Sequence, residues 1–286
     1  MFTKPWCVNI CMVVCLFATT ATVRAQDSAA DDANFLAQRI LSAVPDIPNT
    51  RPTFGTGSDR MSHALEHAQA IISAASAEAP RWDALAASVG WSVFNAERDL
   101  PGLITAIAYN ESMFRNVVRL NDGSRVYELA YETRHSDGRR FRRIVTSDIG
   151  IMQVRAPSRT AAACGVESSS DTERLLSDVA FNYRVGACVL TNVMISAATS
   201  YHEDSSRRRL RSGMRPTSML TFFGVYGPRR DTLEAARATE LIAIERYNWG
   251  GNDLYLRGSH ATYALRILRT MERFVPPFSE AELSGG

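Results

Sequence analysis

Lysine is almost missing from this chain of 286 residues. The single lysine, Lys4, lies close to the N-terminus. Nucleotide-binding P-loops, protein kinases and Schiff-base enzymes each need a lysine ammonium or amine at the reacting centre. The sequence therefore excludes these three classes of function.

The chain also lacks a large net charge. It contains 32 basic and 30 acidic residues, and two of the basic ones, Lys4 and Arg24, lie within the first 25 positions. Without that segment the two signs are equal in number. A neutral chain has no overall electrostatic attraction for nucleic acid or for an anionic membrane, so neither is expected as a partner.

The first 25 residues have the features of a secretory signal peptide. Lys4 precedes an apolar run from Val8 to Phe17, and Ala25 is suited to a cleavage site. The run is too short to cross a bilayer, and no later run reaches about 18 apolar residues, so no stable membrane span is predicted. The mature protein is expected to be exported, either to the periplasm or out of the cell.

Cysteine is scarce as well. Three of the five cysteines lie in the predicted signal peptide, where Cys15 has a poor context for lipidation. Cys164 and Cys188 remain. A pair of cysteines in an oxidising compartment is more often bridged than free or metal-bound, so the sequence predicts a disulfide.

Helical periodicity dominates the rest of the chain. A turn sequence at 136–138 lies between two alternating segments and predicts one β-hairpin. The expected fold class is mainly α with a small β-hairpin, an α+β fold. The predicted organisation is a signal peptide at 1–25, a linker-like segment with one helix at 26–58, a helical N-terminal region at 59–100, a main domain at 101–276 with an insertion at about 196–230, and a tail at 277–286.

Caps and spacing set the expected limits of each element. Asp99 is a good N-cap, and Pro101 fits the first turn of the helix that follows. Ser170 and Glu173 have the spacing of a capping box. The expected helices are Asn34–Val44, Met61–Ala77, Arg81–Phe94, one from Asp99 into Glu111, Asp171–Met194, Leu233–Tyr247 and His260–Phe274, and the hairpin strands are Arg125–Thr133 and Phe141–Thr146.

Glu111 occupies an apolar position on its predicted helix. It follows Ile107 by four residues and Leu103 by eight, so it shares the buried face. Burial makes ionisation of a carboxyl unfavourable, and a glutamic acid that stays protonated near neutral pH is what a general acid for glycosidic cleavage requires. The alternative is an ordinary helix salt bridge between Glu111 and Arg115, one turn further on.

Five motifs follow one another along the chain. They are Ala108–Phe114 with the sequence AYNESMF, Ser147–Gln153 with the sequence SDIGIMQ, the helical positions Asn182, Gly186 and Leu190, the segment Tyr247-Asn248-Trp249-Gly250, and Tyr263. Together they resemble the soluble lytic transglycosylases, the bacterial relatives of goose-type lysozyme. Their order and spacing agree with that family from about residue 101 to 274, and residues 26–100 are not covered. Ile151 and Trp249 depart from the family's usual residues.

The resemblance implies a lysozyme-like domain whose groove holds a peptidoglycan glycan strand, without a cofactor or metal. Glu111 would protonate the glycosidic oxygen between N-acetylmuramic acid and N-acetylglucosamine. It would then deprotonate the sugar's own 6-hydroxyl, which gives a 1,6-anhydro end without using water. The substrate-binding residues implied are Ser147, Gly150, Met152, Gln153, Tyr247, Asn248 and Tyr263.

The implied roles differ among these residues. Met152 and Gln153 would line the groove, Gly150 would allow the backbone to approach the glycan closely, and Tyr247 would reach towards Glu111. Each position has an alternative interpretation as a packing or turn residue. Ser112, next to Glu111, is expected to be structural.

Two other functions stay open. Asp148 is the candidate for a second carboxylate, and a water held by Asp148 would make the enzyme a hydrolase of the lysozyme type. Asp148 is equally suited to a turn before Gly150. The second alternative is a non-catalytic protein that binds the cell wall or belongs to a secretion apparatus in the cell envelope.

Two further patterns carry weaker signals. His63, Glu66 and His67 match the His-x-x-Glu-His pattern of zinc peptidases, but no third ligand motif accompanies them, so no metal is expected. The arginine-rich stretch 207–215 is expected to be a solvated loop. Its alternatives are contacts with carboxylates of wall peptides or, taken alone, with nucleic acid.

Overall fold

Helices make up most of the computed structural model, which describes residues 31–44, 59–89, 96–120, 122–129, 131–136, 139–210, 247, 262–271 and 273–274. The expected fold class, mainly α with a small β element, is confirmed. The helices are α1 (31–43), α2 (Asp59–Val89), α3 (Ala96–Ser112), α4 (Arg159–Ala162), α5 (Ser169–Ser177), α6 (Val179–Leu210) and α7 (Thr262–Met271). The strands are β1 (Val118–Arg119), β2 (Arg125–Val126), β3 (Tyr131–Ser136), β4 (Arg139–Ile144), β5 (Ser147–Ile149) and β6 (Val154–Ala156).

α2 is one helix where the sequence predicts two, because it continues through Pro80. A proline inside a helix removes a hydrogen bond, and contacts with α6 just beyond Pro80 offset that loss. The Trp82 indole is buried and donates to the Thr191 hydroxyl at 2.8 Å. Arg81 donates to the Asn192 side-chain oxygen at 2.5 Å. These contacts fix α2 along α6.

α3 begins at Ala96, three residues before the expected cap Asp99, so its first turn lies in the predicted N-terminal region. Its apolar face, which includes Leu103 and Ile107, is fully buried. α3 packs against α2 and α7. Buried residues of α1, α2, α3, α6 and α7 belong to one core cluster, so the N-terminal helices share the core that supports Glu111.

The expected helix Asp171–Met194 is divided at Asp178. This residue ends α5 in an extended conformation, and its side chain accepts a hydrogen bond from the Phe181 N–H at 2.9 Å. Asp178 therefore caps α6, which runs on to Leu210 and into the predicted insertion. The capping box of α5 is formed by Ser168 and Asp171, in place of Ser170 and Glu173.

Four short strands form an antiparallel sheet in the order β2-β1-β5-β6, which the sequence does not predict. The expected hairpin is present in part, as a separate ribbon of β3 and β4 in which Ser136 pairs with Arg139. Its expected first strand, Arg125–Thr133, is divided, because Arg125 and Val126 form β2 of the four-stranded sheet. Of the expected turn residues, 137 and 138 lie outside the described residues. The sheet brings β1, which follows α3 closely, beside β5.

Cys164 and Cys188 form the expected disulfide, with 5.8 Å between their Cα atoms, and tie the end of α4 to α6. In the described part of the chain, no helix is long and apolar enough to span a membrane. Several expectations fall outside the described residues: the signal peptide, most of the linker-like segment and of the helix Leu233–Tyr247, the insertion beyond position 210, and the tail.

Candidate active site

Glu111 lies one residue before the end of α3, and the residue is only 4% exposed, as its apolar spacing predicts. The helix stops there because Met113 and Phe114 both adopt left-handed backbone conformations, with φ of 55° and 60°. Such conformations are costly for residues other than glycine and cluster at functional sites. Phe114 is buried against the ring of His67. The helix end that carries Glu111 is thus fixed by packing from α2.

Two side chains from other elements contact the Glu111 carboxylate. Arg119 of β1 forms an ion pair with Oε2 at 3.1 Å, and it also donates to the Glu111 backbone oxygen at 2.9 Å. The Tyr263 hydroxyl of α7 donates to Oε1. Glu111 therefore has polar partners in its buried position, and a cation that pairs with it, Arg119, lies on a strand.

Two tyrosine hydroxyls accompany this carboxylate. Burial, followed by the negative charge of Glu111, raises the pKa of Tyr263 well above its usual range. Burial, followed by the charges of Glu111 and Asp148, does the same to the pKa of Tyr247. Both hydroxyls stay protonated at neutral pH and act as donors. Tyr247 donates to the Met152 backbone oxygen at 2.7 Å.

Asp148 lies on β5, opposite Arg119 of β1 on one side and Arg155 of β6 on the other. Its carboxylate is 3.4 Å from an Arg155 nitrogen. Burial raises the pKa of Asp148, and the charges of Arg155 and Arg119 oppose that shift. Glu111 and Asp148 are therefore two acidic groups with Arg119 between them.

The segment from Ser147 to Met152 is used mostly for packing. A Cβ on Gly150 would lie 2.0 Å from the Asn182 side chain and 2.3 Å from the Leu175 backbone oxygen. The approach of α5 and α6 by itself therefore requires a glycine at position 150. Met152 is fully buried and packs against Gly186, so the expectation that it lines a groove is wrong. Ser147 is 1% exposed, and its hydroxyl donates to the Val145 backbone oxygen.

Asn182 holds this segment in place. Its side-chain oxygen accepts from the Met152 N–H at 2.8 Å. Its amide group donates to the backbone oxygens of Leu175 at 2.7 Å and Ile149 at 3.3 Å. Asn182 is completely buried, so all these contacts replace hydrogen bonds to water. The role of this motif position is to fix the backbone beside Glu111.

Gln153 differs from its neighbours in the segment because it keeps an unused acceptor. It adopts a left-handed conformation with φ of 51° and is 7% exposed. Its amide nitrogen donates to the backbone oxygens of Val117 and Gly150, at 3.0 and 2.6 Å. Its side-chain oxygen is buried and has no partner among the described residues. An unpaired buried oxygen is costly, which suits a residue that accepts a hydrogen bond from a ligand.

Ser112 connects the two motifs, in agreement with its expected structural role. Its hydroxyl donates to the Ile151 backbone oxygen at 2.7 Å and lies 3.2 Å from that of Ala108. The end of α3 is thereby tied to the segment that ends in Gln153. The Asn248 position lies outside the described residues.

The zinc-peptidase pattern on α2 does not assemble a metal site. The His67 ring is buried and shares a 2.8 Å hydrogen bond with the Tyr183 hydroxyl. His63 is half exposed and pairs with Glu66 at 3.6 Å. Burial, and then the nearby His63, lower the pKa of His67 to about 4. Among the described residues, no group of three or more metal-binding side chains is present.

The chain matches no protein-family model, no curated protein and no solved structure. The chemistry open to this site therefore follows from its geometry alone. A buried carboxyl with one hydroxyl donor and one cation can hold a proton, release it and be stabilised as an anion afterwards. Arg119 is the residue that sequence reasoning missed. The sequence feature that could have predicted its position is the apolar pair Val117 and Val118 directly before it, which is typical of a short strand.

Proposed function

We propose that the chain is a peptidoglycan lytic transglycosylase with Glu111 as its catalytic acid and base. The observation that carries the proposal is the buried Glu111 carboxylate, which Tyr263 and Arg119 hold at the end of α3. The resemblance of the sequence motifs to that family supplies the substrate. The proposal includes export of the protein to the compartment that contains the cell wall.

In the proposed reaction Glu111 donates its proton to the glycosidic oxygen as the bond to N-acetylmuramic acid breaks. The Glu111 carboxylate formed in this step is stabilised by the Arg119 guanidinium and the Tyr263 hydroxyl. It next takes the proton of the sugar's 6-hydroxyl, whose oxygen closes the 1,6-anhydro ring. One carboxyl serves both steps, so the reaction needs no second acid and no cofactor, and it consumes no water.

Asp148 favours a second candidate, hydrolysis of the same bond. Its carboxylate is three-quarters buried, and it neighbours Arg119, the partner of Glu111. In this reaction Asp148 would orient a water for attack on the sugar. Arg155 opposes this role because it already pairs with the Asp148 carboxylate at 3.4 Å, and the charge of Arg119 acts on the same group. Transglycosylation is therefore the preferred proposal.

Digestion of purified sacculi followed by mass analysis of the soluble products tests the proposal. Lytic transglycosylation releases 1,6-anhydro-muropeptides. Reducing ends that are heavier by one water would replace the proposal by hydrolysis. Absence of products from folded protein would indicate a non-catalytic protein that binds the cell wall or a secretion apparatus.

A further inference from the structure

Arginines form a row across the four-stranded sheet. The strand register places Arg125, Arg119, Asp148 and Arg155 side by side, one from each strand. The alternate positions, such as Val118, are buried, so the row lies on the side of the sheet that faces away from the core. Arg125 is exposed, and the Arg155 side chain is 52% exposed.

The register creates a local conflict of charge. Arg119 and Arg125 lie directly opposite each other on β1 and β2, and like charges in that position destabilise a sheet. Asp148 and Glu111 neutralise part of the positive charge of these arginines. An anionic ligand bound on the row would neutralise more of it. Because Arg119 contacts Glu111, such a ligand would lie next to the candidate active site.

The ribbon of β3 and β4 extends this positive charge. It carries five arginines and one acidic residue in twelve positions. Across residues 115–156 there are nine arginines and five acidic residues, whereas the whole chain is nearly neutral. The five ribbon arginines are Arg134 on β3 and Arg139, Arg140, Arg142 and Arg143 on β4.

The chain passes from β2 into the ribbon and returns from it into β5. Ile144, the last residue of β4, is buried, and Ser147 begins β5 three residues later. The ribbon therefore begins beside Asp148 and Arg119. We call the row on the sheet and the ribbon together the basic surface.

We infer that the basic surface binds the carboxylate groups of the peptides that substitute a peptidoglycan strand. This inference rests on the proposed function, since it takes the strand at Glu111 as given. A planar guanidinium matches a carboxylate with two parallel hydrogen bonds. A strand that places one glycosidic bond at Glu111 carries its neighbouring peptides past the sheet. The enzyme would then prefer peptide-bearing strands to bare glycan.

Binding of an inactive variant separates this inference from catalysis. Glu111→Gln protein is sedimented with intact sacculi and, separately, with glycan strands freed of peptides by an amidase. In the same background, three ribbon arginines are changed to glutamine, and a control removes the same charge from the end of α6. The ribbon variant is Arg134→Gln, Arg139→Gln and Arg143→Gln, and the control is Arg207→Gln, Arg208→Gln and Arg209→Gln.

The ribbon variant is expected to bind intact sacculi about tenfold more weakly, since each exposed ion pair contributes about a factor of two. Its affinity for peptide-free strands and the affinities of the control should stay unchanged. Raised salt should abolish the preference of the parent Glu111→Gln protein for intact sacculi, which tests the inference without a further mutation. An equal loss on both substrates, no loss, or a stronger ribbon-dependent binding to DNA or anionic vesicles would overturn it.

The two proposals can fail separately. Peptide-dependent binding without soluble products from the wild-type protein would leave the basic surface standing and remove the proposed activity. Anhydro products together with binding that ignores the peptides would do the reverse.

Discussion

The two motifs that meet at the candidate site contribute in different ways. At the end of α3, the Glu111 carboxylate contacts the polar side chains of Arg119 and Tyr263 and is the candidate reactive group. In the facing segment, Gly150 and Met152 are enclosed by α5 and α6 and can touch no ligand through a side chain. Neighbouring parts of one site can therefore consist of a reactive group on one side and a packed scaffold on the other.

The change with the largest expected effect is Glu111→Gln, which tests the reactive side of this comparison. Glutamine has nearly the same shape but carries no transferable proton, so turnover of sacculi should fall by about 10²- to 10⁴-fold while the protein stays folded. Release of muropeptides measures the rate, and thermal unfolding checks the fold. Asp148→Asn is the matched control and should keep most of the activity. Normal turnover by Glu111→Gln would remove Glu111 from the proposed mechanism.

Gly150→Ala tests the scaffold side. The new methyl group would overlap the Asn182 side chain and the Leu175 backbone oxygen, and φ of 77° is unfavourable for alanine. The free energy of unfolding should fall by about 4 kcal/mol, of which about 3 reflects overpacking and about 1 the backbone conformation. Urea unfolding measures the loss.

Gly165→Ala is the control for that substitution. Its φ of 86° is also positive, but a Cβ there meets nothing within 4 Å. Only the backbone cost of about 1 kcal/mol is expected. If both variants lose the same amount, the close approach of α5 and α6 to Gly150 is not what requires a glycine.

The sequence predicted the position of Glu111 but not its electrostatic setting. Burial of Glu111 follows from helical spacing, which is a local property. Its pairing with Arg119 depends on β1, two residues long, which forms only because β2 and β5 pair with it. Such pairing joins distant parts of the chain and leaves little local signal. The motif pattern likewise named Gly150 and Met152 without showing that their neighbours are helices.

The third prediction concerns the scaffold around Phe114. Burial lowers the pKa of His67 from 6.5 to about 4, so the fold favours the neutral ring. The unfolded chain takes up a proton below pH 6.5 while the folded protein does not. About 3 kcal/mol of stability should therefore be lost as the pH falls from 6.5 to 4, and none above 6.5. Urea unfolding at several pH values measures this slope.

Two histidine variants sharpen that measurement. His67→Gln keeps a hydrogen-bonding group for Tyr183 but cannot gain a proton, so its stability should vary less between pH 6.5 and 4. His63→Gln, at the exposed neighbour, should keep nearly the wild-type slope. A wild-type slope in His67→Gln would show that other groups cause the acid sensitivity.

Helix limits show where local signals suffice and where packing decides. The pattern predicted helices near α1, α3 and α7, whose apolar faces repeat at helical spacing. It placed a break between Ala77 and Arg81, where Pro80 lies, but α2 continues through this proline. A proline opposes a helix interior, and the contact of Trp82 with α6 overrules that preference. It missed the cap at Asp178, although an aspartate before an apolar run is a helix-start signal.

The smallest expected effect comes from Arg119→Gln, which tests the link between the two regions. Arg119 pairs with the Glu111 carboxylate at 3.1 Å and donates to its backbone oxygen at 2.9 Å. In the proposed reaction the guanidinium stabilises the carboxylate that forms when Glu111 gives its proton to the leaving group. Its removal should therefore lower the rate of sacculus digestion by about tenfold, equivalent to about 1.4 kcal/mol of barrier. Release of muropeptides measures the rate. Arg119→Lys keeps the positive charge and should keep most of the rate. An equally low rate in both variants would mean that Arg119 acts through the paired contacts of its guanidinium, which hold the end of α3 against β1, and not through its charge.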